Sequence, residues 1–385
     1  MTKMTKNQID IITVHIPLKM VIARPRSGRG NLVPSPKERD CFVAALLAMT
    51  APERLLTIFV SLIAFSTCVF AQERIAVNDV RWQDGNCPVC GKKVKLAVVT
   101  ATNTTCGIDR DLFIRSAGPQ PEFYLIDTCP NCCFSGYLND FDLVLPQQVK
   151  DNLKKTLKPP HPINPKIHQQ EIATLDKYEL AYQTFKILGR SDESFGWLTL
   201  RASWIARDLY CNLPKHPAIV DVLIEAGKLV PPAGKDSNPA EREVRQAKKL
   251  ALHMTNSKTK WNYDAVIALL YRRHGENRSA LKSIDRIGQN KNTPADIRDL
   301  FVQMKRSIAT EQHWQELSAE HFNRAFTTGT ISPANQAIAK YLLAQLYHRL
   351  GKKDEARRWL NEAILDRRLP ANLLQWAKET QEQRP

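Results

Sequence analysis

The sequence predicts a small β ribbon followed by an all-α helical repeat domain. Two C-P-x-C motifs, at Cys87–Cys90 and Cys129–Cys132, predict the ribbon. Between them, apolar and polar residues alternate as in a half-buried strand. Further along, one pattern of apolar residues and glycine returns 76 residues later (Ile267 to Leu343), which predicts stacked helical units.

At 385 residues the chain is long enough for two domains, since domains usually run ~100–200 residues. Hydrophobic residues make up 43% and charged residues 24%, ordinary values that argue against wholesale disorder. Lys and Arg outnumber Asp and Glu 55 to 39, giving a net charge of +16. The excess is spread along the chain without a block of like charges, and aromatics are not interleaved with it. That pattern reads as basic solubility and argues against a nucleic-acid partner.

Residues 1–48 contain Pro25, Pro34 and Pro36 and no sustained periodicity; they are expected to be a non-structural or mis-called extension, with translation starting at Met49. Residues 49–71 read as a secretory signal peptide. Arg54 precedes the apolar run LLTIFVSLIAFSTCVFA, and Val69 and Ala71 are small residues before a cut at Gln72. The expected location is extracytoplasmic, periplasmic or secreted. The alternative is an uncleaved membrane anchor, whose apolar run sits at the lower limit for spanning ~30 Å of hydrocarbon. Only then is the membrane a partner.

Residues 72–150 are expected to form a zinc-ribbon-like domain. A C-x-x-C turn brings two thiolates to one side of a tight loop, so two turns supply four corners for a tetrahedral Zn. The metal ligands are thus Cys87, Cys90, Cys129 and Cys132. Gly91 follows the first pair, where a left-handed residue lets backbone N–H groups point at sulfur; Cys133 holds that place in the second. Val94, Leu96 and Val98 alternate with polar neighbours, and Leu112–Ile114 and Phe123–Ile126 read as further short strands. So small a unit buries too little apolar surface to fold alone, and metal binding supplies the missing stability. Two alternatives stay open: thiol–disulfide exchange at a C-P-x-C pair, and structural disulfides.

Residues 151–170, with Pro159, Pro160, Pro162 and Pro165, read as a stiff linker. From residue 171 to 385 the spacing is helical. In Trp261–Pro294 the series Ile267, Ala268, Tyr271, Gly275, Ala280, Ile284 is matched in Ala337–Pro370 by Leu343, Ala344, Tyr347, Gly351, Ala356, Leu360. Small Ala lets paired helices approach and Gly turns the corner, the logic of a tetratricopeptide-like repeat. A degenerate unit is expected between them, with Phe301, Met304 and Ile308 on one helix and Ser318, Phe322 and Ala325 on the next. Ala181–Leu188 and Trp197–Arg207 form an earlier pair, and Leu373, Leu374 and Ala377 a capping helix. First helices line the concave face of such stacks, so Arg272, Arg273 and Lys340 are expected to meet a protein or peptide ligand.

The chain has no G-x-S-x-G, P-loop, H-E-x-x-H or Rossmann glycine motif in the required context. His161 and His168 are expected to be solvated, and His253, His274, His313, His321 and His348 to be surface or groove residues. Asp109 and Asp111 form the best acidic pair, with a turn cap as the expected role. The most direct reading is a non-enzymatic exported adaptor that binds a protein or peptide through its helical repeats; the alternatives are a thiol–disulfide oxidoreductase using the C-P-x-C pairs and a nucleic-acid-binding zinc ribbon.

The motifs resemble an uncharacterised bacterial family, the domain of unknown function twenty-two twenty-five. Its pattern of C-P-x-C-G, Asp-x-Asp, Tyr, C-P-x-C-G-Y-A and Asp-Phe is carried here by Cys87–Gly91, Asp109 and Asp111, Tyr124, Cys129–Cys132 with Phe134 and Ser135, and Asp140 with Phe141. Trp197–Arg207, with Ala202, Trp204 and Arg207, is similar to the family's W-x-x-R helix, and Cys133 departs from its Gly. The resemblance implies the ribbon-plus-helix architecture and brings no activity.

Overall fold

A computed structural model describes residues 80–102, 106–116, 120–209, 216–230, 239–254 and 261–382. The segments expected at 1–48 and 49–71 lie outside the described residues.

Strand β1 (Val80–Asn86) pairs antiparallel with β2 (Lys93–Val99), and the first C-P-x-C turn joins them. The alternation in β2 points Val94 and Leu96 into a core, 4% and 3% exposed. A two-residue pair, β3 (Asp127–Thr128) with β4 (Ser135–Gly136), brackets the second turn. Two expected strands are corrected. Pro121, which has no N–H and a preset φ, opens a 3₁₀ turn over Pro121–Tyr124, so Phe123–Ile126 forms no strand. Leu112–Ile114 is one arm of a tight hairpin with a single bridge, Ile108 to Ile114.

Eleven helices follow among the described residues. Helix α1 (Gln147–Thr156) buries Leu153 against the ribbon, so residues 151–156 of the expected linker are helical. Helices α2 (Thr174–Leu188) and α3 (Asp192–Asp208) form a hairpin. Next come α4 (Pro217–Leu229), α5 (Pro239–Met254), α6 (Trp261–Arg273) and α7 (Asn277–Gln289). The array ends with α8 (Ala295–Thr327), α9 (Gln336–Leu350), α10 (Lys353–Leu365) and α11 (Ala371–Glu382). Among the described residues, no helix is long and apolar enough to cross a membrane.

The 76-residue repeat is a repeat of geometry. Gly275 and Gly351 both take left-handed conformations, φ 71° and 79°, at the ends of α6 and α9. Each closes its helix with the same pair of bonds: Gly275 N–H to Arg272 O and Glu276 N–H to Tyr271 O, then Gly351 N–H to His348 O and Lys352 N–H to Tyr347 O. Ala280 and Ala356 then lie buried on the returning helices.

The expected degenerate unit is corrected. Residues 295–327 hold no Gly or Pro, and nothing interrupts the intrahelical bonds, so they run as one 33-residue helix. Its C-terminal half packs on α3, where Ser318 Oγ donates to Gly196 O at 2.9 Å. A Cβ on Gly196 would stand 2.7 Å from the Phe322 ring, so only glycine permits this approach.

Candidate metal centre

The two cysteine turns are copies of one another. In the first, Cys87 N–H donates to Lys92 O and Gly91 N–H to Cys87 O, both at 2.9 Å; in the second, Cys129 N–H donates to Phe134 O and Cys133 N–H to Cys129 O, both at 2.8 Å. Gly91 has φ 71° and Cys133 has φ 63°. The cysteine thus accepts the left-handed conformation that glycine adopts freely, and the turn is preserved.

Sulfur positions follow. Cys87 Sγ lies 3.5 Å from Cys132 Sγ, and Cys90 Sγ lies 3.6 Å from Cys129 Sγ. All four lie within 4.8 Å of one another. A tetrahedron with ~2.3 Å metal–sulfur bonds has edges of about 3.8 Å, so the spacing suits four thiolates around one ion. Cys87 and Cys129 are 2% and 0% exposed, walled by Val94, Phe134, Phe141 and Leu153. Hydrogen bonds from Cys132 and Cys87 hold the Cys129 thiol far below its ordinary value, while its bond to Cys129 pushes Cys87 up to about 12. Ionising four clustered thiols inside this pocket requires a cation, and a divalent ion would supply it. Neither turn opens a helix: each leads from one strand to the next. The helix N-terminus that activates a thiol in C-x-x-C oxidoreductases is missing here.

Between the two turns the chain leaves the ribbon and enters the helical array. Cys106–Ser116 is a hairpin, with Cys106 N–H to Arg115 O, Arg115 N–H to Gly107 O and Asp109 N–H to Phe113 O. Cys106 at its base is disulfide-bonded. Asp109 and Asp111 are no turn caps exposed to water; they are 3% and 0% exposed. Asp109 receives Arg115 Nη2 at 2.9 Å, Arg207 Nη1 at 3.0 Å and His274 Nδ1 at 2.7 Å. Asp111 is paired to Arg207 and to Arg349. Arg207 Nε also donates to Glu311 at 2.8 Å, and Glu311 pairs in turn with Arg272. Phe113 stacks on Trp204 with ring centres 5.7 Å apart. Arg110 at the tip reaches Glu241 on α5 and Glu379 on α11, at 3.2 and 2.7 Å.

Burial alone would push Asp109 up, but Arg115, His274 and Arg207 hold it well below the usual range. Glu311 is likewise penalised by burial and held near 2 by Arg207 and Arg272.

The expected basic groove is not assembled. Arg272 is 0% exposed, its guanidinium committed to Glu311, Asn277 Oδ1 and Ala206 O, so no ligand reaches it. Arg273 pairs with Glu243 at 2.8 Å and Lys340 with Asp366 at 3.0 Å. His274 and His321 are also buried. His274 bridges Asp109 and Glu243, and His321 Nδ1 lies 2.8 Å from Asp192.

An open cleft of about 970 Å³ lies between α8, α9 and α10, with Phe326, Tyr347 and Trp359 in its walls. Lys352 sits 5.9 Å from the Tyr347 ring centre and Arg358 5.1 Å from that of Trp359.

Fold and site together define a four-cysteine β ribbon built into a helical array. The family described as an uncharacterized protein conserved in bacteria (DUF2225) matches residues 82–308, and the chain belongs to that family. The match takes in both cysteine turns, the hairpin and Arg207, and ends before Glu311. No curated protein and no solved structure matches the chain.

Proposed function

We propose that this protein is a non-enzymatic exported adaptor, in which zinc braces the ribbon and the helical array binds a protein or peptide. The observation that carries the reading is the closed four-sulfur cage. Four soft thiolates at tetrahedral spacing suit zinc and exclude the hard cations calcium and magnesium. With every corner taken by protein there is no open position for a substrate or an activated water, so the metal's role is structural.

Export is supported by the signal-like segment at 49–71 and by the disulfide at Cys106, since disulfides persist in oxidising compartments. In such a compartment a bound metal would also protect the four thiols from oxidation. The tetratricopeptide-like reading is supported by the two helical hairpins related by 76 residues. With Arg272, Arg273 and Lys340 paired to acids of the chain, this reading looks for the ligand in the cleft walled by Phe326, Tyr347 and Trp359. Its rim carries both bases (Arg324, Lys352, Arg358) and acids (Glu316, Glu320, Glu362), which suits a peptide with side chains of both signs.

Capture of envelope proteins by the purified chain tests this reading. Wild type retains a partner, and the double variant Lys352→Glu/Arg358→Glu loses it with an unchanged circular dichroism spectrum. Equal capture by both proteins would remove the cleft as the binding surface.

A further inference from the structure

The hairpin and the cysteine cage belong to one stretch of chain. Cys90 and Cys129 bound the segment that contains the hairpin, so an ion joining the two turns fixes both ends of that segment. Among the described residues, the return path from hairpin to cage is held at three places. Gln120 bonds the backbone of Ser116 with both side-chain ends, at 3.4 and 3.2 Å. Tyr178 of α2 donates to Glu122 O at 2.8 Å. Asp127 accepts from Ala97 N–H of β2 at 3.0 Å, two residues before Cys129. The far end of the hairpin is held by five helices: α3 through Arg207, α5 through Glu241, α6 through the residues that follow it at His274, α9 through Tyr341 and Arg349, and α11 through Glu379.

We infer that metal binding in the cage and seating of the Cys106–Ser116 hairpin in the helical array are one linked equilibrium, so that Arg110 and Asp111 act as positioning residues for a metal site they do not touch. This rests on the metal reading above. If the seated hairpin favours the assembled cage, the loaded cage must favour the seated hairpin by the same factor. The helical array is then sensitive to metal supply: withdrawing the ion loosens the hairpin and, with it, the helices it joins.

Zinc affinity is measured by competition with a chromogenic chelator under nitrogen, on the full chain and on variants. The expected result is an affinity about tenfold weaker in Asp111→Asn, within the usual range of coupling between sites. Arg110→Ala, which leaves no buried charge unpaired and so keeps the fold if Asp111→Asn does not, weakens zinc binding in the same direction. Arg110→Lys restores it, because an ammonium can still meet Glu241 and Glu379. Hydrogen exchange supplies the second readout: chelation lowers amide protection in α6 and α9 as well as in the ribbon. Unchanged zinc affinity in a folded Arg110→Ala, or lost protection confined to residues 80–142, overturns the linkage and leaves the metal site standing. A wild-type chain that takes up no zinc overturns both.

Discussion

Arg207 on α3 and Glu311 on α8 meet at 2.8 Å with both side chains fully removed from water. The pair is not isolated: Arg207 also serves Asp109 and Asp111 from the hairpin, and Glu311 also serves Arg272 and Asn277. Buried charges of this kind are costly singly and tolerable only when every partner is present. The hairpin is therefore required by the helices as much as held by them.

Glu311→Ala leaves two guanidiniums without their shared carboxylate in the interior. Urea denaturation is expected to show a loss of about 3–5 kcal/mol. Lys305→Ala, which removes an exposed pair with Asp285, is expected to cost no more than ~1 kcal/mol. Similar small effects at both sites would mean that the buried guanidiniums find other partners.

Two carboxyls titrate against the trend. Burial pushes Glu122 up to about 7 and Asp127 up to about 6, and Glu122 Oε2 and Asp127 Oδ2 have no hydrogen-bond partner. A carboxyl whose folded value is raised binds its proton more tightly in the fold than in the unfolded chain. Its contribution is present at low pH and declines as pH rises from its unfolded value through its folded value. For Glu122 that window runs from 4.5 to about 7. Glu311 and Glu243, both held down near 2, have the opposite sign: their contribution is present above 4.5 and is lost as pH falls toward 2. Glu122→Gln should therefore be more stable than wild type at pH 8, with the advantage shrinking as pH falls through the window. A constant difference across that range would mean Glu122 keeps its charge in the fold.

Cys133 separates ligand from turn residue. It stands beside the cage with φ 63° and does not belong to the group of four. Cys133→Gly should keep the metal stoichiometry and raise the melting temperature, since removing a Cβ from a left-handed position relieves about 1 kcal/mol. Loss of metal in that variant would make Cys133 a ligand.

The cage was legible because its chemistry is local: each C-x-x-C fixes its own turn, and only the pairing of the two turns is tertiary. The helical hairpins were legible because Gly275 and Gly351 do the same work in the same register. Asp109 and Asp111 drew notice as a pair, yet their role depends on Arg207, His274, Glu311 and Arg349, which arrive from four places along the chain and leave no spacing to read. The place of Arg272 is illegible for the same reason. Its place on a first helix suggested a groove, while the acid that takes it inward lies 39 residues away on α8. The unbroken α8 is hard to read from sequence because its apolar positions fit two short helices as well as one long one. Only the lack of Gly and Pro between residues 295 and 327 marked it as continuous.

We propose that Cys87, Cys90, Cys129 and Cys132 together hold one zinc ion. X-ray absorption at the zinc edge, on residues 72–385 purified under reducing conditions without added metal, tests it most directly. The predicted result is about one zinc per chain, surrounded by four sulfurs at about 2.3 Å, with loss of that signal in Cys129→Ser. Protein that is free of zinc, or zinc with nitrogen or oxygen in its first shell, would contradict it.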